Sequence, residues 1–219
     1  GNQWSYDRDK RVQAFCQHAK IPLIELPNAG VARAFGNRDK WAPLRARRMS
    51  EDRFIPPRHL PDNPPYPCAF LSDEGQLPEK DHPMFGAPII HGDQTQKGGR
   101  KQAISLLTSF LKERKSGYIR HLASPRLAAD SCLRLSPHLA YGTISSREVV
   151  QTIQNYLSDP AHNCTAYDKR IGRAVLSRLA WRCHFMQKLE DEPSIETHAM
   201  HPFYEKVRAD SYREAYYQA

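Results

Sequence analysis

Nine of the seventeen prolines in this 219-residue chain fall at 56, 57, 61, 64, 65, 67, 78, 83 and 88. Proline lacks the amide donor that a helix or a sheet ladder needs, and it pushes the residue before it out of the helical region. No long regular element can cross this stretch. An irregular run of that length does not fit inside one compact domain. It reads as an inter-domain connector over 55–96, which divides the chain into a leading unit, 1–54, and a trailing unit, 97–219.

The trailing unit is helical in pattern. Behind Gly98-Gly99, residues Ala103, Leu107, Phe110 and Leu111 make one apolar stripe, widened by Ile104 and Leu106, that ends near Ser116-Gly117. Ser145 and Glu148 have the spacing of a capping box, in which the hydroxyl takes the Glu148 amide and the carboxylate returns a bond to the cap. Val149, Val150, Ile153 and Leu157 carry the period on until Asp159-Pro160 breaks it. A third helix, about 165–190, sets Ile171, Val175, Leu179, Met186 and Leu189 along one side. No strand is expected after residue 98.

The leading unit has a different rhythm. Val12, Phe15, Cys16 and Ala19 recur at helical spacing, Ile21-Pro22-Leu23-Ile24-Glu25-Leu26 reads as a buried strand, and a second helix covers about 39–49. Helix, strand and helix in succession belong to an α/β sheet. One strand leaves two edges of unpaired backbone, so a partner or a larger α/β domain has to complete that sheet. The fold class is therefore mainly α, with the remnant of an α/β unit in front.

Composition narrows the function classes. With 40% hydrophobic residues the chain can build a core, which argues against wholesale disorder. No run approaches the ~18 apolar residues of a membrane span, and the first residues have no signal-peptide core. The five cysteines, at 16, 68, 132, 164 and 183, are odd in number, widely spaced and without a CxxC pair. That pattern reads as reduced, mostly buried thiols in a reducing compartment, cytoplasmic or, in a eukaryote, nuclear. Lys+Arg outnumber Asp+Glu by 32 to 24, a formal net charge of +8, so a polyanion is the expected partner and nucleic acid the first candidate.

Two constellations carry possible chemistry. At 100° per residue, Arg178, Trp181, Arg182 and Phe185 project within an arc of about 120° on the last helix. Two guanidinium groups beside an indole and a phenyl ring suit a phosphate and a stacked base. The alternative is that Trp181 is core and the arginines reach past it to solvent. The second is Ser131-Cys132-Leu133-Arg134-Leu135-Ser136-Pro137-His138-Leu139-Ala140-Tyr141-Gly142. Its amides, the Ser136 hydroxyl and the Arg134 charge could wrap a phosphate, with proline opening a short helix. The alternative there is an ordinary helix–loop–helix connection. His198 and His201 lie three apart with no cysteine or carboxylate pattern around them, so no metal site is assigned. Walker-A, GxSxG, HExxH and GxGxxG motifs are absent from the sequence.

Taken together and in order, these segments resemble the photolyase/cryptochrome family. Arg134 to Ser145, with Arg147 following, is similar to that family's R-L-S-P-x-L-x-x-G-x-I-S-x-R signature. Leu179-Ala180-Trp181-Arg182 with Phe185 resembles its E-L-x-W-R-x-F helix, and Gly98-Gly99 through Tyr118 resembles the opening of its flavin domain. Asn2 to Arg48 resembles the back half of its N-terminal α/β domain, and the proline-rich stretch takes the place of its long connector.

The resemblance implies an α/β antenna domain, a connector and a helical domain that cradles FAD, with an antenna chromophore held by the N-terminal region missing from this chain. It implies light-driven electron transfer from reduced flavin to a pyrimidine dimer flipped out of DNA, or blue-light reception without repair. A helical module that binds nucleic acid without any cofactor is the reading from another class. By position, Tyr118, Cys132, Leu133, Arg134, Leu135 and Ser136 would contact the flavin phosphates and ribityl chain. Arg178, Trp181, Arg182 and Phe185 would line the DNA-facing cavity, with Trp181 stacked on the flipped base.

Two departures stand out. Cys132-Leu133 replace a Thr-Ser pair, which removes two hydroxyl contacts, and Arg178 stands where photolyases carry a hydrogen-bonding glutamate. The resemblance further implies that the family's flavin domain extends well past the equivalent of Ala219. The chain is therefore expected to be an internal piece, without catalytic residues of its own, that holds FAD poorly and is inactive by itself.

Overall fold

A computed structural model describes residues 3–24, 30–33, 35–53 and 96–205. The connector, up to its last residue, lies outside the described residues, as do the last two residues of the expected strand, 25 and 26. Eight α-helices are described: α1 Gln3–His18, α2 Arg38–Ser50, α3 Arg100–Ser109, α4 Tyr118–His121, α5 Ala128–Ser131, α6 Ser136–Ala140, α7 Ser146–Ser158 and α8 Ala166–Asp191. Among the described residues there is no strand.

The helices form where the pattern places them, but burial follows the neighbours. α1 buries no residue, and Val12 and Phe15 of its apolar face are exposed. Ile21, Leu23 and Ile24 are also exposed and belong to no ladder, because no described residue offers a second strand to pair with. The expected buried strand is corrected on both counts over 21–24.

Most of the core lies in 97–219, and Met49 of α2 joins it. Ala103, Leu107, Phe110 and Leu111 of the α3 stripe are buried against Val149, Val150 and Ile153 of α7 and Ile171, Val175 and Leu179 of α8. Ile104 is exposed, so only Leu106 widens the stripe. α3 continues beyond Ser109 as a π-helical turn, Phe110–Arg114, and a tight 3-10 turn, Lys115–Gly117. On α8 the buried line runs on through Cys183 and Gln187, while Met186 and Leu189 are half-buried.

Gln187 is buried because both of its amide groups are satisfied by backbone. Its Oε1 accepts from the Ala32 amide at 2.8 Å and its Nε2 donates to the Ala32 carbonyl at 2.9 Å. α2 is tied to α7 in the same currency. Arg147 Nε donates to the Arg48 carbonyl at 2.7 Å, and Gln151 Nε2 donates to the Met49 and Glu51 carbonyls at 2.9 and 2.8 Å. The free thiols are less buried than expected: Cys183 is buried, whereas Cys16, Cys132 and Cys164 are half-buried.

α7 and α8 approach closely at Gly172. A Cβ there would stand 2.2 Å from Leu157 Cδ1 and 3.2 Å from its Cγ. Alanine in place of glycine gains up to about 1 kcal/mol of helix propensity, against roughly 1–3 kcal/mol of overpacking. Gly172→Ala is therefore expected to lower stability by about 1 kcal/mol. In a Leu157→Ala background the same change should turn stabilising, which urea unfolding of the double-mutant cycle measures.

The Ser145 cap forms only by half. Its hydroxyl accepts from the Glu148 amide at 3.0 Å, but the Glu148 carboxylate turns to Arg100, with paired contacts of 2.7 and 2.9 Å, and has Arg53 at 3.9 Å. A bidentate guanidinium outcompetes a neutral backbone amide for the same oxygens. The complete capping box sits instead at Thr165 and Asp168, at the start of α8.

The Arg100 hydrogen bond, opposed by burial and assisted by the Arg100 and Arg53 charges, holds Glu148 below the usual carboxylate range. A depressed carboxylate stabilises the fold above the unfolded-state value, about 4.3 for glutamate, and that contribution is lost as pH falls through the lower folded value. Because Arg100 is half exposed, the contribution is about 0.5–1 kcal/mol. Glu148→Gln is expected to remove that much at pH 7 and nothing at pH 2, as read by urea midpoints at the two pH values.

Candidate cofactor and nucleic-acid face

The turn between α5 and α6 carries the first group of candidate residues. Cys132 leaves α5 extended, at φ −91° and ψ 163°, and Arg134 adopts φ +57°, a left-handed conformation that costs a non-glycine residue about 1–2 kcal/mol. Leu135 then leads into α6, where proline sits at the first turn as expected. This sharp reversal leaves the amides of Leu133, Arg134 and Leu135 without a hydrogen-bond acceptor among the described residues. Leu135 itself is buried in the core, and Ser136 is exposed at the head of α6.

Arg114 braces the turn from below. Its guanidinium donates to the Cys132 carbonyl, to the Leu106 carbonyl at 2.8 Å and, through Nε, to Ser109 Oγ at 3.1 Å. The sequence reading overlooked it. The available signal was an arginine continuing the stripe 107, 111, 114, 118, a position that an amphipathic helix normally gives to an apolar side chain. Burial, reinforced by the nearby Arg134 charge, draws the Arg114 pKa below its usual range.

Tyr118 is buried, with its ring edge-on to Phe110 at 5.6 Å between centroids. Burial pushes its hydroxyl pKa up, and so does Cys132, while the Arg178 charge pulls it down. Burial also raises the Cys132 thiol, against the charges of Arg114 and Arg134. Tyr118 therefore feels both Cys132 of the turn and Arg178 of α8, which joins the two.

A second join is direct. Arg182 donates to the Leu139 carbonyl of α6 at 3.1 Å and to Ser146 Oγ at 3.4 Å, so it ties α8 to α6 and to the start of α7. Trp181 and Phe185 point away from the core, 54% and 57% exposed, with ring centroids 5.7 Å apart. The reading of Trp181 as core is excluded. Arg178 is exposed beside them. Phe185 continues through His184, 5.7 Å away, to Trp41, 5.6 Å further on, whose Nε1 donates to the Gly30 carbonyl.

His198 and His201 make local contacts only. His198 Nδ1 bonds Thr197 Oγ1 at 2.9 Å, and His201 Nδ1 accepts from the Phe203 amide at 3.2 Å.

Beside the turn opens a cavity of about 650 Å³ lined by Gln96, Lys97, Gln102, Leu106, Arg114, Ala129, Asp130 and Arg134. Of the candidate flavin contacts, only Arg134 borders it. The turn could hold an anionic phosphate group: it presents amide donors without an internal acceptor, next to guanidinium groups. Among the described residues no helix is long and apolar enough to cross a membrane.

Comparison with known proteins gives one partial similarity. The chain is 30% identical over 115 residues to the deoxyribodipyrimidine photo-lyase of Streptomyces griseus, a match covering 52% of this chain and 22% of that protein. The chain thus matches about a fifth of that relative's length. No family model and no solved structure matches. This similarity supports a photolyase-like chain, and the mainly helical structure is consistent with a helical domain.

Proposed function

We propose that the chain is part of a photolyase-like flavoprotein that acts on pyrimidine dimers in DNA. The observation that carries this reading is the Arg182–Leu139 hydrogen bond. It joins the two segments on which the family resemblance rests. The partial similarity to a photo-lyase agrees with it.

In this reading the amides of Leu133, Arg134 and Leu135 hold the FAD phosphates. Cys132 and Ser136 flank them, and Tyr118 closes the inner side. When bound, the flavin supplies the light-excited electron that splits the dimer and then returns. The protein's own residues have other tasks. Trp181 and Phe185 offer an exposed aromatic surface on which an extruded base stacks. Arg178 provides a phosphate contact, and Arg182 fixes α8 against the turn.

A specific feature favours the second reading, a blue-light receptor without repair activity. Arg178 cannot accept the hydrogen bond from a damaged base that a carboxylate would. One experiment separates the two. The protein that carries this chain is purified, its visible spectrum is recorded, and it is illuminated with a dimer-containing oligonucleotide. A flavin band with restored thymines is expected for the enzyme, and a flavin band without them for the receptor. Folded protein with no flavin band would contradict both.

A further inference from the structure

Segment 30–33 is fastened to the helical body by side chains of α2 and α8. Trp41 Nε1 donates to the Gly30 carbonyl at 2.9 Å, Arg48 donates to the Val31 carbonyl, and Gln187 takes both the amide and the carbonyl of Ala32. Arg33, the last residue of this strap, faces two helices at once. Its Nη2 lies 3.0 Å from Asp9 Oδ2 of α1, and its Nε lies 3.5 Å from Glu190 Oε1 of α8.

The two helices of the leading unit are held in different ways. α2 puts Met49 into the core, and its end is tied to α7 by Arg147 and Gln151. α1 buries no residue, and Trp4, Val12 and Phe15 on it are exposed. Charged groups join it to the body: Asp9 meets Arg33, and the Gln3 amide donates to the Glu196 carboxylate. Hydrogen bonds from Arg8 and then Arg33 hold the Asp9 carboxyl below its usual range. Behind α1 the chain turns through Lys20 at φ +55°, and Ile21, Leu23 and Ile24 beyond it are exposed. A helix of this length is marginal in water without a packed apolar face. Its docking therefore depends on ion pairs, which are weak between partly exposed groups and screened by salt. Arg33 and Asp9 are 35% and 32% exposed, so solvent ions reach them.

We propose that Arg33 is a salt-sensitive latch: its pairs with Asp9 and Glu190 hold α1 on the helical body, and ionic strength sets the fraction of molecules in which α1 is released. Release breaks the contacts of α1 with Arg33 and Glu196. It leaves the fastening of 30–32, the α2–α7 bonds and the core as they are, because none of these runs through α1. The released helix loses its docking and frays, which is a local opening and not global unfolding.

Hydrogen exchange of the full chain tests the latch, read by mass spectrometry at about 0.1 M and about 1 M salt, between which the Debye length shrinks from about 10 Å to about 3 Å. Protection of the α1 amides is expected to fall about two- to fivefold at the higher salt, while the α7 and α8 amides keep theirs. Arg33→Gln should show that loss already at the lower salt, with a smaller further response to salt. Asp9→Asn, which removes the partner on the α1 side, should do the same. The protection of α7 and α8 in each variant reports that the core is folded. Equal α1 protection at the two salt concentrations, or wild-type protection in both variants, would overturn the proposal. So would a parallel loss in α7, since that would make the event global unfolding. The test needs neither flavin nor DNA, so this inference and the functional reading fail independently.

Discussion

Phe110→Ala is expected to cost about 3–5 kcal/mol of folding stability, a large fraction of the roughly 5–15 kcal/mol that an ordinary domain has in total. The phenyl ring is 1% exposed and is among the largest fully buried side chains. It also supports two functional candidates: the Tyr118 ring meets it edge-on, and the Arg114 guanidinium lies 6.0 Å from its centroid. Removing it opens a void under both. Phe110→Leu, which refills most of the volume, should lose much less. Ile104→Ala, one turn and a half away on the same helix, should change stability by no more than about 0.5 kcal/mol because its side chain is exposed. Urea unfolding of the three variants orders them, and an Ile104 effect equal to that of Phe110 would show that the core has been misplaced.

The second large effect concerns binding. Base–aromatic stacking is worth about 1–3 kcal/mol per base, so Trp181→Ala is expected to weaken binding of a dimer-containing single strand roughly five- to a hundredfold. Its indole is more than half exposed, so stability should stay nearly constant. Arg178→Gln should act differently, weakening binding to any strand and lowering the slope of log affinity against log salt by about 1. Equal affinity of wild-type and Trp181→Ala protein for the dimer strand would remove α8 from the binding face.

Much of this was legible in the residues. The α3 stripe, the Ser145 cap, the α7 period and the N-terminal half of α8 all rest on local spacing, and local spacing decides where helices form. What was not legible depends on neighbours. α1 has a good apolar period and buries nothing, with Val12 and Phe15 left exposed. The segment 21–24 has strand-like composition and no strand to pair with. Glu148 has capping-box spacing, but a guanidinium from another helix takes its carboxylate. Cys183 and Gln187 continue the buried line of α8, where a search for aliphatic residues found Met186 and Leu189. Gln187 is buried because a backbone segment 155 residues away satisfies its amide.

The same division holds for the candidate site. The turn and the α8 face were visible as motifs, and Trp181 and Phe185 are exposed. The direction of Arg182 was not visible, because its partners are Leu139 and Ser146, 43 and 36 residues away. Arg114 was hidden by its place in an apolar stripe, and only the folded turn reveals that it braces Cys132.

The most direct test of the face built by α8 and the turn is tryptophan fluorescence. Trp181 is one of three tryptophans, the others being Trp4 and Trp41. In Trp4→Phe/Trp41→Phe protein the emission comes from Trp181 alone. Titration with a dimer-containing single strand is predicted to quench that emission saturably, with a midpoint that rises with salt. Unchanged emission at strand concentrations where binding is complete by gel shift would contradict the account.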